Sequence, residues 1–358
     1  MNFSNFKNKT VLITGHTGFK GLWLTTTLLS LGSKVIGISL KPNAYQKIIL
    51  KKLVTQKIKN YFFDISDHVK LKKILFKNQP DYVFHLAAQP IVSESYKDPL
   101  GTWKTNVIGT GNLLESLRFL KKKCSIIIVT SDKCYEVNKE KKLTFLKETD
   151  PLGGKDPYSA SKASTEIIYK SYFHSYLKNK KNISITSVRA GNIIGGGDWS
   201  KDRIIPDCVK NWIKKKKIHI RNPDYIRPWQ HVLDAINGYL LLAKINTVTK
   251  KFNGESFNFG PEKNSIKTVK QLCQIFQSYW IGPSKMYFKN KKQFSETKTL
   301  ALSIVKAKKS LGWKPIMNLN KSLNLTANWY QKYYKNFDVL DIYFDQIEYF
   351  KNLCKIKK

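Results

Sequence analysis

Apolar residues come along this chain in short runs, and the runs alternate with stretches of helical spacing. Val11-Leu12-Ile13 is a run of the kind that forms a buried strand, and Leu22-Trp23-Leu24, Leu28-Leu29 and Leu31 behind it recur like one face of a helix. Further strands are expected at 35–39, 61–65, 81–88, 125–130 and 184–189, with helical stretches between most of them. Alternation of this kind predicts an α/β fold built on a doubly wound parallel sheet. The C-terminal third alternates less regularly and reads as a smaller lobe. No internal repeat or low-complexity linker marks the boundary, which is expected near Asn192, with some later segments returning to the sheet.

The junction between the first strand and the first helix is Thr14-Gly15-His16-Thr17-Gly18-Phe19-Lys20-Gly21. Glycines at this spacing allow a tight turn, close approach of a pyrophosphate and close helix–sheet packing. The helix N-terminus then offers its free N–H groups to phosphate. A dinucleotide site in a Rossmann domain over residues 1–191 follows, with residues 192–358 mainly a substrate-binding lobe. The second strand runs into Ser39-Leu40-Lys41 with no acid to hold an adenosine ribose, so this position leaves NAD and NADP both open. Asp64 reads equally as an adenine contact and as a turn residue capping the next helix. Ala87 and Ala88 are small enough to let a cofactor lie against the backbone.

Thr130 ends a strand, and Asp132 and Lys133 leave that strand's carboxyl end, where open α/β sheets bind ligands. Tyr158 and Lys162 are four apart and share one helix face. An ammonium in that place lowers the tyrosine pKa and makes the phenolate a base toward an alcohol. Arg203 and Arg227 have the fork of donors that suits a diphosphate, and each also suits a surface ion pair.

Composition narrows the class. The 358 residues are 42% hydrophobic, enough for a large core. No apolar stretch is long enough to cross a membrane, and the first residues lack an apolar signal core, so a cytoplasmic protein is expected. Five cysteines, none at Cys-x-x-Cys spacing, argue against a zinc cluster or a disulfide framework. The formal charge is +38, but the lysines are dispersed and no nucleic-acid-reading motif accompanies them. No specific nucleic-acid binding is expected, although the charge would help to gather an anionic sugar nucleotide.

The chain resembles extended short-chain dehydrogenase/reductases acting on nucleotide sugars, along nearly its full length. Within them it is most similar to the 4,6-dehydratases of CDP-glucose. The motifs that carry this are Gly15 to Gly21, Thr130-Ser131-Asp132-Lys133-Cys134-Tyr135, Asp150 to Gly154, Gly195 to Trp199 with Asp202 to Pro206, and Ile226 to Val232. Asp132-Lys133 is the most informative, because dTDP-glucose dehydratases carry Asp-Glu there and epimerases carry neither pair. Residues Val137 to Lys147 depart most from the pattern, and no functional residue is assigned there.

The resemblance implies NAD, recycled in each turnover, and a hydro-lyase reaction on a nucleotide diphosphate hexose, CDP-glucose, in deoxysugar supply for a lipopolysaccharide O-antigen. It implies that Tyr158, with Lys162 and Thr130, serves oxidation at C4, that Asp132 protonates the hydroxyl leaving C6, and that Lys133 takes the proton from C5. Cofactor contacts are implied at Gly15, Thr17, Gly18, Phe19, Lys20 and Gly21, at Asp64 and Ile65, at Leu86, Ala87 and Ala88, and at Thr130, Tyr158 and Lys162. Substrate contacts are implied at His85, Ser131, Asn192, Arg203 and Arg227. No metal is implied, and a homodimer or larger homo-oligomer through the helices near 105–120 and 158–177 is. Another nucleotide-sugar dehydratase, a 4-epimerase and a silent dinucleotide-sensing regulator are the alternatives.

Overall fold

A computed structural model describes residues 3–53, 56–137, 144–289 and 299–356. Part of the least family-like segment, residues 138–143, lies outside them. The chain opens as β1 (Thr10–Thr14), α1 (Phe19–Ser30), β2 (Lys34–Ser39), α2 (Ala44–Leu53), β3 (Ile58–Phe62), α3 (His68–Asn78) and β4 (Tyr82–His85). A helical arm follows, with α4 (Val92–Lys97), α5 (Pro99–Trp103), a π-helical turn at Lys104–Ile108 and α6 (Gly109–Leu117). Next come β5 (Cys124–Val129), β6 (Phe145–Leu146), α7 (Pro157–Tyr172), β7 (Ile183–Ala190) and β8 (Ile193–Ile194). The last third holds α8 (Ile204–Ile213), β9 (Ile218–Arg221), β10 (Ile226–Pro228), β11 (Gln230–His231), α9 (Val232–Val248) and β12 (Ser256–Phe259). It ends in β13 (Ile266–Thr268), α10 (Val269–Ser278), β14 (Met286–Lys289), β15 (Ala301–Leu302), α11 (Val305–Leu311), α12 (Leu319–Tyr334) and α13 (Val339–Ile356).

The main sheet has seven strands in the order β12-β7-β5-β4-β1-β2-β3, all parallel. Strand order reverses between β1 and β4, and the crevice at that switch point is where such sheets take ligands. The pleat divides the apolar side chains between two cores. Val11 and Ile13 of β1, with Ile127 and Val129 of β5, face α1 and α9, whereas Leu12, Ile126 and Ile128 face α3, α6 and α7. Each such side chain, fully buried, contributes about 1.5–3 kcal/mol.

β3 begins and ends earlier than the apolar run at 61–65 suggested. Its register against β2 explains this, since Val35 pairs with Ile58 and Ser39 with Phe62, and the ladder stops where β2 stops. Among the described residues no helix is long and apolar enough to cross a membrane.

Two indoles hold the loop after β8 in place. Trp23 of α1, fully buried, donates from Nε1 to the Gly196 carbonyl at 2.9 Å. On the loop's other side, a Cβ at Gly196 would lie 1.9 Å from Trp329 Cγ. Only glycine passes between them, and the loop delivers Asp198 to the cavity described next.

Candidate active site

The turn after β1 is set by backbone contacts. Gly15 has φ +74°, and a Cβ there would lie 2.7 Å from Ala87 N. A Cβ at Gly21 would lie 2.0 Å from Gly15 O. Gly18 N-caps α1 with no side-chain hydrogen bond, so the first amides of the helix keep their donors for a ligand. This uncapped helix end, behind a turn with no room for side chains, fits the diphosphate of a dinucleotide. The Thr17 carbonyl accepts from Gln46 Nε2 at 2.8 Å, and the Phe19 ring packs against Gly195. His16 turns its ring over Gly37 and pairs through Nε2 with Asn60 Oδ1 at 2.9 Å; burial lowers its pKa to about 4.

Beside the turn, at the carboxyl edges of β4, β5 and β7, opens a cavity of about 350 Å³. It collects Lys20, Leu86 and Ala88 from the dinucleotide side, and Thr130, Ser131, Asp132 and Lys133 from the end of β5. Tyr158 and Lys162 enter from α7, and Asn192, Arg203 and Arg227 from the C-terminal third. Lys20 is lowered to about 7 by burial and by the charges of Lys162 and Arg203, against an opposing pull from Asp132.

Helix α7 begins where the sequence gives it a cap. The Asp156 carboxylate accepts from Ser159 N at 2.9 Å, and Pro157 follows at the first helical position. Tyr158 and Lys162 are both buried. Burial raises Tyr158 to about 12, while a hydrogen bond with the Ser131 hydroxyl and the charge of Arg203 pull it back. Burial lowers Lys162 to about 8, with Cys134 and Glu166 opposing. The net shift of Tyr158 is upward, because loss of water outweighs the pull of Ser131 and Arg203.

A correction concerns Thr130. Its hydroxyl donates to Glu166 Oε1 at 2.5 Å and to the Val188 carbonyl at 3.3 Å, and so is engaged behind the sheet end. Ser131 supplies the hydroxyl that reaches Tyr158. Adjacent residues leaving a strand point to opposite sides, so the turn can send only one of the two hydroxyls to the phenol. Asp132 is buried, its Oδ1 accepting from Ser131 Oγ at 3.0 Å and its Oδ2 without a protein partner. Burial pushes its carboxyl up, against Lys133, Ser131, Arg227 and Lys20, which pull it down. Lys133 is half-buried at the cavity wall.

Of the other expected contacts, His85, Asp64 and Ile65 lie outside the cavity lining, whereas Arg203 and Arg227 belong to it. His85 is buried at the end of β4, its Nδ1 2.7 Å from Thr14 Oγ1 and its Nε2 2.9 Å from Thr110 Oγ1. Both nitrogens are satisfied, so it is a structural imidazole and not a substrate contact. Asp64 accepts from Ser66 N at 2.8 Å in a local turn, while Asp67 caps α3 by accepting from Lys70 N at 3.0 Å. Ile65 is buried against Gly109. Arg203 lies 3.6 Å from Asp198, and the buried Arg227 donates from Nη1 to the Ile226 carbonyl at 2.9 Å.

Several lining residues were not singled out from the sequence. They include Ser93, Asp202 and Arg221, which form a chain at 2.7 and 2.8 Å, and Asp207, whose carboxyl burial raises to about 6. They lie on a loop, on two helix starts and at the end of β9, with no fixed spacing to the glycine turn.

A family model described as GDP-mannose 4,6 dehydratase matches residues 12–326. The chain belongs to this family. The match begins within β1 and ends within α12, so it takes in the glycine turn and the whole cavity. Within the GDP-mannose 4,6 dehydratase family the chain is 36% identical to a CDP-glucose 4,6-dehydratase of Salmonella typhimurium over 344 residues, 94% of either chain. It also resembles the structure of a UDP-glucose 4-epimerase from Thermotoga maritima, with TM-score 0.78 and 25% identity over 91% of this chain and 99% of that one. A dTDP-glucose 4,6-dehydratase of Streptomyces venezuelae, solved with NAD and TYD bound, shares the fold at TM-score 0.78 and 23% identity, over 92% and 99% of the two chains.

Proposed function

We propose that the chain is an NAD-dependent hydro-lyase that converts CDP-glucose to CDP-4-keto-6-deoxyglucose. One observation carries the reading: Tyr158 and Lys162 from α7 line the same cavity as Asp132 and Lys133 from the end of β5. An oxidising pair and an acid–base pair in one place suit a reaction that first oxidises C4 and then eliminates across C5 and C6. The 36% identity to a CDP-glucose 4,6-dehydratase supports the choice of base and sugar.

NAD, when bound along Gly15 to Gly21, would supply a hydride acceptor for C4 and a hydride donor for C6. Tyr158, once ionised, accepts the C4 hydroxyl proton; the Ser131 hydrogen bond and the Arg203 charge favour the phenolate that this transfer consumes. The C4 ketone acidifies C5–H, and Lys133, as the neutral amine, takes that proton. Asp132, which burial keeps protonated to higher pH than an exposed carboxyl, gives its proton to the departing C6 hydroxyl. Gly15 to Gly21, with Leu86 to Ala88, hold the cofactor, and Arg203 and Arg227 hold the substrate diphosphate.

Residues 1–191 then act as the cofactor-binding unit, and 192–358 mainly as the substrate lobe, with β12 returning to the sheet. All five cysteines are buried, which suits a reducing cytoplasm. The product suits deoxysugar supply for a surface polysaccharide. Leu100, Ile108 and Ile167 expose 80%, 54% and 59% of their surface on the helical arm and α7, and we take these faces to pair in a homodimer.

The test is incubation with a panel of nucleotide hexoses, followed by the absorbance of 4-keto products in alkali. A signal with CDP-glucose well above that with UDP-, dTDP- and GDP-sugars is expected. Turnover of another base, or none, overturns the assignment.

A further inference from the structure

Behind the cavity lies a buried ion pair that the chemistry above does not use. Tyr158, Lys162 and Glu166 follow one another at intervals of four on α7 and so share a stripe. Glu166 is fully buried. Its Oε1 accepts from Thr130 Oγ1 at 2.5 Å, and its Oε2 accepts from Ser187 Oγ at 2.8 Å and from Arg189 Nη2 at 3.0 Å. Arg189, also buried, donates from Nη1 to the Tyr135 hydroxyl at 2.8 Å and to the Glu148 carbonyl at 3.1 Å. Its guanidinium lies 4.8 Å from the centre of the Tyr135 ring. Burial by itself would push the Glu166 carboxyl up, but the Arg189 charge and the hydrogen bonds hold it below the usual carboxylate range.

Thr130 and Tyr135 flank the segment that carries Ser131, Asp132 and Lys133. The pair therefore grips that segment at both ends: Glu166 holds Thr130 from the helix that carries Tyr158 and Lys162, and Arg189, tied to Glu166, holds Tyr135 from β7. Buried ion pairs add little net stability over a well-packed apolar core. Charge-assisted hydrogen bonds do have narrow preferred geometry. An apolar contact would join helix and segment without fixing their separation.

Resting on the dehydratase reading, we propose that Glu166 and Arg189 are positioning residues: they set how far Asp132 and Lys133 stand from Tyr158 and Lys162. One hexose must present C4 to the phenol and C6 to the carboxyl. A segment displaced by about 1 Å still permits oxidation at C4 but spoils elimination, by about 100-fold.

Three variants loosen the grip by degrees. Thr130→Val removes the hydroxyl that bonds Glu166 and the Val188 carbonyl, Arg189→Lys keeps the charge but lets go of Tyr135, and Glu166→Gln removes the carboxylate charge. Each is assayed as full chain with NAD and CDP-glucose, by two signals. Absorbance of reduced nicotinamide reports oxidation, and 4-keto-6-deoxy product reports completed elimination. The expected result is oxidation within about threefold of wild type, with product formation down about tenfold in Thr130→Val and about 100-fold in Glu166→Gln. Reduced nicotinamide should then accumulate, as it does not in the wild type. A product-to-oxidation ratio that stays at the wild-type value, or moves the other way, overturns the proposal. If Glu166→Gln fails to fold, Thr130→Val and Arg189→Lys decide it. A wild type that makes no 4-keto-6-deoxy sugar overturns the dehydratase reading, and this one with it, before any variant is compared.

Discussion

The cavity has two walls of different construction. The wall under the glycine turn is backbone, packed so closely that a Cβ at Gly15 would sit 2.7 Å from Ala87 N. The wall facing it is made of charged side chains on loops and short strands, with Arg203 3.6 Å from Asp198 and Arg221 2.8 Å from Asp202. A backbone wall admits no added atom. A side-chain wall can pair again after a change, and its half-exposed ion pairs are worth about 0–1 kcal/mol each. Substitutions should therefore be drastic on the first wall and graded on the second, with the buried catalytic groups between them.

The largest effect is expected from Gly21→Ala, whose Cβ would fall 2.0 Å from Gly15 O. Helix α1 or the turn must shift, so a loss of about 3 kcal/mol or more in thermal unfolding is expected. NAD binding by fluorescence titration should be lost too. An unchanged melting temperature would mean the turn is softer than the contacts imply.

Tyr158→Phe should remove about two to four powers of ten from C4 oxidation, leaving the melting temperature near wild type. Normal accumulation of reduced nicotinamide in this variant would require another base.

Lys162 tests whether the space between the walls is as dry as its burial implies. Its pKa falls to about 8 from an ordinary 10.5, so the unfolded chain holds the proton more tightly than the folded one. Below about pH 8 the charge is buried in full and opposes folding, and the opposition fades as pH rises from about 8 toward 10.5. Lys162→Met should thus be inactive yet more stable, on the order of 2–3 kcal/mol near neutral pH. The gain should shrink toward zero at alkaline pH in urea unfolding. A destabilised Met variant at neutral pH would contradict this.

On the loop wall, Arg227→Ala should raise KM by about 10- to 100-fold with kcat little changed, as for a charge-assisted contact made equally in ground and transition states. Arg203→Ala, at a half-exposed residue already paired with Asp198, should do less. Equal effects of the two would remove the distinction between buried and exposed parts of that wall.

The same contrast governs what could be read in advance. Strands, helices and the glycine turn were legible because they depend on local spacing and backbone freedom. Tyr158 and Lys162 were legible because a helix fixes what lies four residues apart. His85 was misassigned because its fate rests on Thr14 and Thr110, which only the folded sheet brings to it. Thr130 and Ser131 were confused because the strand ends at Val129, and which hydroxyl faces the cavity depends on that register. Arg189 did leave a signal: a charge on the strand expected at 184–189 needs a partner if that strand is buried. Glu166, one helical turn beyond Lys162, was the acid to suspect. On the facing wall Arg203 and Arg227 were legible as diphosphate partners, whereas Ser93 and Arg221 were not, because only the fold brings them to Asp202.

The central claim is that one cavity performs oxidation, elimination and return in sequence on a nucleotide hexose. CDP-glucose carrying deuterium at C4, turned over in ordinary water, tests it most directly, with a parallel reaction of unlabelled substrate in deuterated water. NMR of the product should show the C4 label at C6, and solvent deuterium at C5 in the parallel sample. Label returned to C4 with inverted configuration, and a hydroxyl retained at C6, would show an epimerase and contradict the account.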